Sequence, residues 1–252
     1  MMEKFRIMDQ AESFYFPGNE VGVLIVHGFT GTTQSMRDLG KQIANEGYTV
    51  YGPRLTGHGT HPEDMEKAQY TDWINDVKNS LDKLQETCSA VFVIGLSMGG
   101  TLTLYIAENH PGIAGIVTIN AAIDMPDLKE NFNTLKNGKE RFVDGIGSDI
   151  KKEDVAELAY DKTPVRAMGE LVALMEKVRQ NLADVTVPTL IFSSTVDHVV
   201  PPANSRQILE SISTADKDLV RLENSYHVAT LDHDKDVIAD KCIAFIEQHS
   251  EV

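Results

Sequence analysis

Residues 90–110, AVFVIGLSMGGTLTLYIAENH, set one serine in a glycine frame between two different hydrophobic patterns. Upstream, AVFVI is a short continuous apolar run, the mark of a strand buried on both faces. Downstream, TLTLYIAENH reads as a helix. The pentapeptide between them, Gly95-Leu96-Ser97-Met98-Gly99, therefore reads as a sharp strand-to-helix turn of the G-x-S-x-G type, in which glycines relieve crowding. The same rhythm extends outward. VGVLIV (21–26), YTVYGP, IAGIVTIN, PTLIFSS and DLVRLEN read as strands, and SMRDLGKQIANEG, YTDWINDVKNSLDKLQE, NSRQILESI and VIADKCIAFIEQH read as amphipathic helices. Alternating strand and helix predict an α/β fold, a mostly parallel sheet covered by helices on both faces.

The rhythm breaks between 123 and 182, far longer than the ~12 to 15 residues of an uncommon long loop. This stretch is expected to be a small helical cap insertion over the carboxyl edge of the sheet, dividing the chain into a core of 1–122 and 183–252 and a cap of 123–182. Its last segment carries Met168, Leu171, Val172, Met175, Val178 and Leu182 at helical spacing, and Phe132, Leu135, Phe142, Val143 and Ile146 form a second apolar set. Either set can simply pack on the core, but together they favour an apolar pocket.

Composition narrows the partners. The 252 residues carry 23 Lys+Arg against 38 Asp+Glu, a formal net charge of -15. Such a surface repels nucleic-acid phosphate and anionic lipid, so no nucleic-acid partner is expected. The start, MMEKFRIMDQ, has no apolar leader core, and no run approaches the ~20 apolar residues of a membrane span. A cytoplasmic protein without a transmembrane segment is expected. Cys88 and Cys242 lie in neither a CxxC nor a zinc-like pattern and read as free thiols. The sequence carries no mark of a particular oligomeric state.

A serine hydroxyl becomes a nucleophile only when a base takes its proton and donors receive the new oxyanion. Ser97 stands where a helix N-terminus favours negative charge. One donor is expected to be the backbone N–H of Met98, directly after the nucleophile, and the other that of Phe29, in the His27-Gly28-Phe29 turn after the first long strand. An acid and a histidine should follow in chain order. Asp197 lies just past PTLIFSS and His227 just past DLVRLEN, both at strand carboxyl ends. His227 would act as general base and then general acid, with Asp197 holding its tautomer. Of the other histidines, His233 in LDHD is the rival base, and Asp232 and Asp234 rival Asp197 only if the acid follows the base. A zinc site at His227, His233 and Asp234 lacks helical i, i+4 spacing and a remote ligand cluster, so neither metal nor cofactor is expected.

With these residues placed, the chain resembles the α/β-hydrolase superfamily, and within it the bacillar monoacylglycerol lipases and their carboxylesterase relatives. The resemblance runs along the full length through VLIVHGFTGT, PRLTGHGTHPEDM, GLSMGGTLTLY, INAAID, GIGSDIK, ELAYDKTP, DHVVPP and NSYHVATLD. It implies a Ser97–Asp197–His227 triad, oxyanion donors at Phe29 and Met98, and a cap in which Ile146 and Glu157 line the substrate site. The implied activity is hydrolysis of a small lipid ester, a monoacylglycerol, through an acyl-enzyme. A general short-chain carboxylesterase is the alternative, since a triad does not distinguish the two. A catalytically silent protein that holds an apolar ligand is the alternative from outside enzymes. Glu157 reads equally as an acceptor for glycerol hydroxyls or as an ordinary solvated carboxylate.

Overall fold

The computed structural model describes residues 3–250. Its strands are β1 (Phe14–Phe16), β2 (Val21–Val26), β3 (Thr49–Gly52), β4 (Ala90–Leu96), β5 (Gly115–Ile119), β6 (Phe142–Asp144), β7 (Lys162–Pro164), β8 (Thr189–Ser194) and β9 (Lys217–Leu222). The helices are α1 (Gln34–Asn45), α2 (Pro62–Met65), α3 (Tyr70–Gln85), α4 (Met98–Asn109), α5 (Pro126–Leu135), α6 (Val165–Arg179), α7 (Ala203–Ser211) and α8 (Lys235–Ser250). Seven strands form one sheet in the order β1-β3-β2-β4-β5-β8-β9. Only β1 runs antiparallel to its neighbour; the other pairings are parallel.

Strand β4 shows why the sheet is covered twice. All seven of its residues are buried. Val91 and Val93 enter one core with Trp73, Ile74 and Val77 of α3, Leu102 of α4 and Met168 and Leu171 of α6. Phe92, Ile94 and Leu96 enter the other with Met36 and Ile43 of α1 and Ile238 and Cys242 of α8. Alternation along a strand sends successive side chains to opposite faces, so a continuous apolar run serves two cores. Cys88 and Cys242 are both buried and free, in different cores.

Segment 123–182, expected to be a helical insertion, holds two helices and two short strands. Besides α5 and α6 it contains an antiparallel ladder, Phe142↔Pro164 to Asp144↔Lys162. Three-residue strands give no usable period, and Pro164 sits at the end of its pairing, where a missing N–H costs nothing in the ladder. Edge strand β1 was equally invisible in the sequence, for the same reason of length. Helix α6 buries Met168, Leu171, Val172, Met175 and Val178 as the spacing predicts, but it starts directly after Pro164, earlier than the apolar pattern alone suggests.

Candidate active site

The first strands set the place. The chain goes from β2 outward to β3 and then back across β2 to β4, so the turns after β2 and β4 leave adjacent strands at the reversal point, with Val26 opposite Gly95. Such a reversal opens a crevice at the carboxyl edge of a parallel sheet. Ser97 sits there with φ +56 and ψ −120, strained for a residue with a Cβ. Hydrogen bonds hold the strain: Ser97 N–H donates to the Ile119 carbonyl at 2.9 Å, and its own carbonyl accepts from Thr101 N–H at 3.1 Å. The glycine frame is steric in origin. A Cβ at Gly95 would overlap the Gly99 carbonyl, and one at Gly99 would overlap the Val26 carbonyl.

Across the crevice, a Cβ at Gly28 would lie 3.3 Å from the Ser97 Cβ. The backbone of the His27–Phe29 turn thus approaches the serine directly. Among the described residues, neither Phe29 N–H nor Met98 N–H has a hydrogen-bond partner. Buried N–H groups are rarely left so, and these two flank Ser97. Behind them, His27 is buried; its Nε2 lies 3.2 Å from Leu55 N–H and its Nδ1 3.0 Å from the Gly28 carbonyl. That geometry requires a neutral ring that accepts at Nε2 and donates at Nδ1.

Burial, opposed by the Gly28 hydrogen bond, lowers the His27 pKa from 6.5 to about 4. A folded-state pKa below the unfolded one means the unfolded chain takes up the proton first. The stabilisation is therefore complete above 6.5 and declines as the pH falls toward 4, by about 3 kcal/mol for this group. Urea unfolding at pH 7 and pH 4 should accordingly show His27→Gln losing about 3 kcal/mol less than the parent. Equal losses would remove His27 from the acid sensitivity.

The predicted acid and base, Asp197 and His227, sit on the loops after β8 and β9, whereas Ile146 and Glu157 lie between β6 and β7. His227 Nδ1 lies 2.8 Å from Asp197 Oδ2, with both side chains almost wholly buried. The other oxygen, Asp197 Oδ1, accepts Val199 N–H and Val200 N–H at 2.8 Å each, which fixes the carboxylate's rotation. Burial depresses the His227 imidazolium, but the hydrogen bond and charge of Asp197, then the charges of Glu157 and Asp149, outweigh it and leave the pKa raised. Ser97 and His227 line one narrow cavity of about 30 Å³ with Gly28, Phe29, Ile146 and Glu157. Glu157 faces Gly31, where a Cβ would overlap its carboxylate oxygen. Burial, offset by His227 and the Ser35 hydroxyl, raises its pKa to about 7.

Rival residues have other employment. The Asp232 carboxylate accepts four backbone N–H groups, those of Lys151, Lys152, Tyr226 and His233, at 2.7–2.9 Å. Asp234 accepts from Asn224 N–H and Nδ2, and His233 is exposed. The second apolar set mostly lies elsewhere. Only Ile146 of that set reaches the cavity, whereas Phe132 and Leu135 line a groove beside Arg166 and Phe142 lines another beside His61. Met125, Leu171 and Val199 complete the apolar wall instead.

Asn120 was not anticipated. With φ +46, it donates from Nδ2 to Ser194 Oγ at 2.9 Å and to the His227 carbonyl at 2.8 Å, and its Oδ1 accepts Ser194 N–H at 2.8 Å. Its signal in the sequence is a lone amide closing the apolar strand GIVTI.

Comparison with known proteins follows the same lines. Residues 19–234 match the family described as "Serine aminopeptidase, S33". The chain is 49% identical over 252 residues to the "Thermostable monoacylglycerol lipase" of Bacillus sp. (strain H-257), covering 99% of this chain and 100% of that protein. It is 29% identical to the "Carboxylesterase" of Bacillus subtilis (strain 168), covering 93% and 96%. A solved structure titled for LipS and LipT, "two metagenome-derived lipolytic enzymes", superposes with a TM-score of 0.94 at 45% identity, covering 97% of this chain and 100% of that one. The monoacylglycerol lipase of Paleococcus ferrophilus shares the fold, at a TM-score of 0.79 and 18% identity. With a family match spanning most of its length, on a parallel sheet whose carboxyl edge carries Ser97, Asp197 and His227, the chain belongs to the S33 serine hydrolase family of α/β-hydrolases.

Proposed function

We propose that the protein hydrolyses monoacylglycerols to fatty acid and glycerol through an acyl-enzyme on Ser97. The observation that carries the reading is the buried Asp197–His227 pair, whose histidine shares a cavity with a strained serine. His227 takes the Ser97 proton as Oγ attacks the ester carbonyl, and the tetrahedral oxyanion accepts from Phe29 N–H and Met98 N–H. Collapse breaks the bond to the glycerol oxygen, which receives the proton from His227. Water then attacks the acyl carbonyl, losing its proton to His227, and the second tetrahedral species releases the fatty acid and restores the Ser97 hydroxyl. Asp197 keeps the imidazole in the tautomer whose Nε2 is free to accept and stabilises the imidazolium. No step in this route needs a cofactor.

The walls of the cavity support the substrate class. Ile146, Met125, Leu171 and Val199 offer an apolar side for an acyl chain, and each methylene withdrawn from water contributes about 0.8 kcal/mol. At about 30 Å³ the cavity admits little more than water. An acyl chain therefore needs more room than the cavity has, and Ile146, Glu157 and Leu171 of the segment 123–182, which we take as a cap, are among the side chains that would have to give way. Glu157 supplies the acceptor for glycerol hydroxyls. The name of the 49%-identical relative agrees with this assignment. A cytoplasmic setting belongs to the same reading, since both thiols are buried and free, and no described helix is long and apolar enough to cross a membrane.

A general carboxylesterase is the competing reading, and the 29%-identical relative bears that name. The two separate at Glu157. Glu157→Gln should lower kcat/KM for monolaurin about 10-fold relative to p-nitrophenyl laurate measured on the same variant at about pH 8, where a carboxyl with a pKa of about 7 is ionised and its hydrogen bond to a glycerol hydroxyl is charge-assisted. Ethyl laurate, whose alkoxide needs the His227 proton as glycerol does, is measured alongside to separate the glycerol contact from any effect of Glu157 on His227. An unchanged ratio, or a parent enzyme that prefers p-nitrophenyl esters, peptides or triacylglycerols, would replace the proposal.

A further inference from the structure

Asp197 and His227 stand on separate loops, and the bond between them requires those loops to keep a fixed spacing. Something other than either side chain sets it. Segment 146–152 of the cap touches both loops. Ile146 and Gly147 line the cavity, and Ser148 Oγ accepts Glu157 N–H at 2.9 Å. The next residue, Asp149, bridges the loops. Its Oδ2 accepts His227 N–H at 3.2 Å and His198 N–H at 3.1 Å, and its Oδ1 lies 2.7 Å from His198 Nδ1. Its carbonyl accepts Val228 N–H at 3.1 Å. Two and three residues on, Lys151 and Lys152 donate their N–H groups to Asp232, which also holds Tyr226 N–H. All three N–H groups of Tyr226, His227 and Val228 thus end on the cap segment or on the carboxylate that anchors it.

We propose that Asp149 is a positioning residue for the reaction: by clasping His227 and the neighbour of Asp197 on one carboxylate, it lets the cap set the geometry of the acid–base pair. The assignment rests on the triad proposed above. The Asp149 side chain is 14% exposed and its His198 partner 59%, so the bond to His227 N–H is the better shielded side of the clasp. A catalytic group displaced by about 1 Å loses about 100-fold in rate, which makes the spacing of two loops a catalytic quantity. The charged groups that face His227 are Asp197, Glu157 and Asp149, and all three favour its imidazolium.

Asp149→Ala and Asp149→Asn test this on a soluble p-nitrophenyl ester, with kcat and KM measured across the pH range and folding checked by thermal midpoint. Asp149→Ala should lower kcat by about 10- to 100-fold with KM within about threefold of the parent. Asp149→Asn, whose amide oxygen still accepts the two backbone N–H groups, should regain most of that loss. In both variants the acid limb of kcat/KM should move to lower pH, because the negative charge of Asp149 is gone. A kcat for Asp149→Ala within about twofold of the parent, a loss carried by KM alone, or an acid limb that stays in place in both variants overturns the proposal. If Asp149→Ala does not fold, the acid limb of Asp149→Asn decides. Ser97→Ala and His227→Ala run beside them: activity in those variants would overturn the triad itself, while their silence leaves any failure with Asp149.

Discussion

Ser97→Ala is expected to lower kcat on monolaurin and on p-nitrophenyl esters by about 10⁵- to 10⁶-fold and to abolish labelling by a fluorophosphonate. The size follows from the division of labour in the crevice. Removing Oγ deletes the covalent route and leaves His227 with nothing to deprotonate except water. What persists is the pair of free N–H groups on Phe29 and Met98 and the binding walls, which in serine hydrolases sustain a residual of about 10³–10⁴ over water. The fold should not register the change. The backbone at 97 is held by Ser97 N–H on Ile119 and by Thr101 N–H on the Ser97 carbonyl, and alanine carries the same Cβ into the same φ. Retention of more than about 1% of the parental kcat would remove Ser97 from the mechanism, and an unlabelled parent would favour a binding protein over an enzyme.

Asp197→Asn is expected to cost about 10⁴-fold in kcat with KM little changed. The carboxylate sits between fixed donors. Oδ1 accepts two backbone N–H groups, so an asparagine at 197 keeps its carbonyl oxygen on that side and turns its NH₂ toward His227 Nδ1. The imidazole then accepts at Nδ1 and carries its proton at Nε2, which can no longer take the proton of Ser97. The raised imidazolium pKa should fall as well, since Asp197 supplies the largest of the contributions that raise it. The acid limb of kcat/KM would therefore appear at lower pH in the residual activity. A variant within about tenfold of the parent would mean that Asp197 does not set the tautomer.

The features legible in the sequence were those dictated by period and order. The run AVFVI reads as doubly buried because each of its residues is apolar, and the structure divides them between two cores. Asp197 and His227 could be located because a strand end is marked by where an apolar run stops. What stayed hidden was contact between segments remote in sequence. Asp149 meets His227 from 78 positions away, and Asn120 meets its carbonyl from 107. Neither pairing leaves any spacing to detect. The apolar residues of segment 123–182 misled for a related reason: composition says that Phe132 and Leu135 must meet something greasy but not which side of α6 they meet. Short pairings such as Phe142–Asp144 with Lys162–Pro164 fall below the length at which alternation can be recognised.

The Asp232 carboxylate, with two N–H groups from segment 123–182 and two from the loop after β9, bears on how this protein could be re-engineered. Segment 123–182, which we take as a cap, carries part of the cavity wall and so invites transplantation. Here the graft boundary would cut through a shared anchor: Lys151 and Lys152 would travel with the donor segment, and Asp232 would stay behind. A chimera that imports another cap without matching backbone at 149–152 would leave a buried carboxylate half-filled and the base loop untethered. Swapping specificity would then alter turnover on every ester alike, and a designer reading only the pocket would mistake a loosened histidine for a poor substrate.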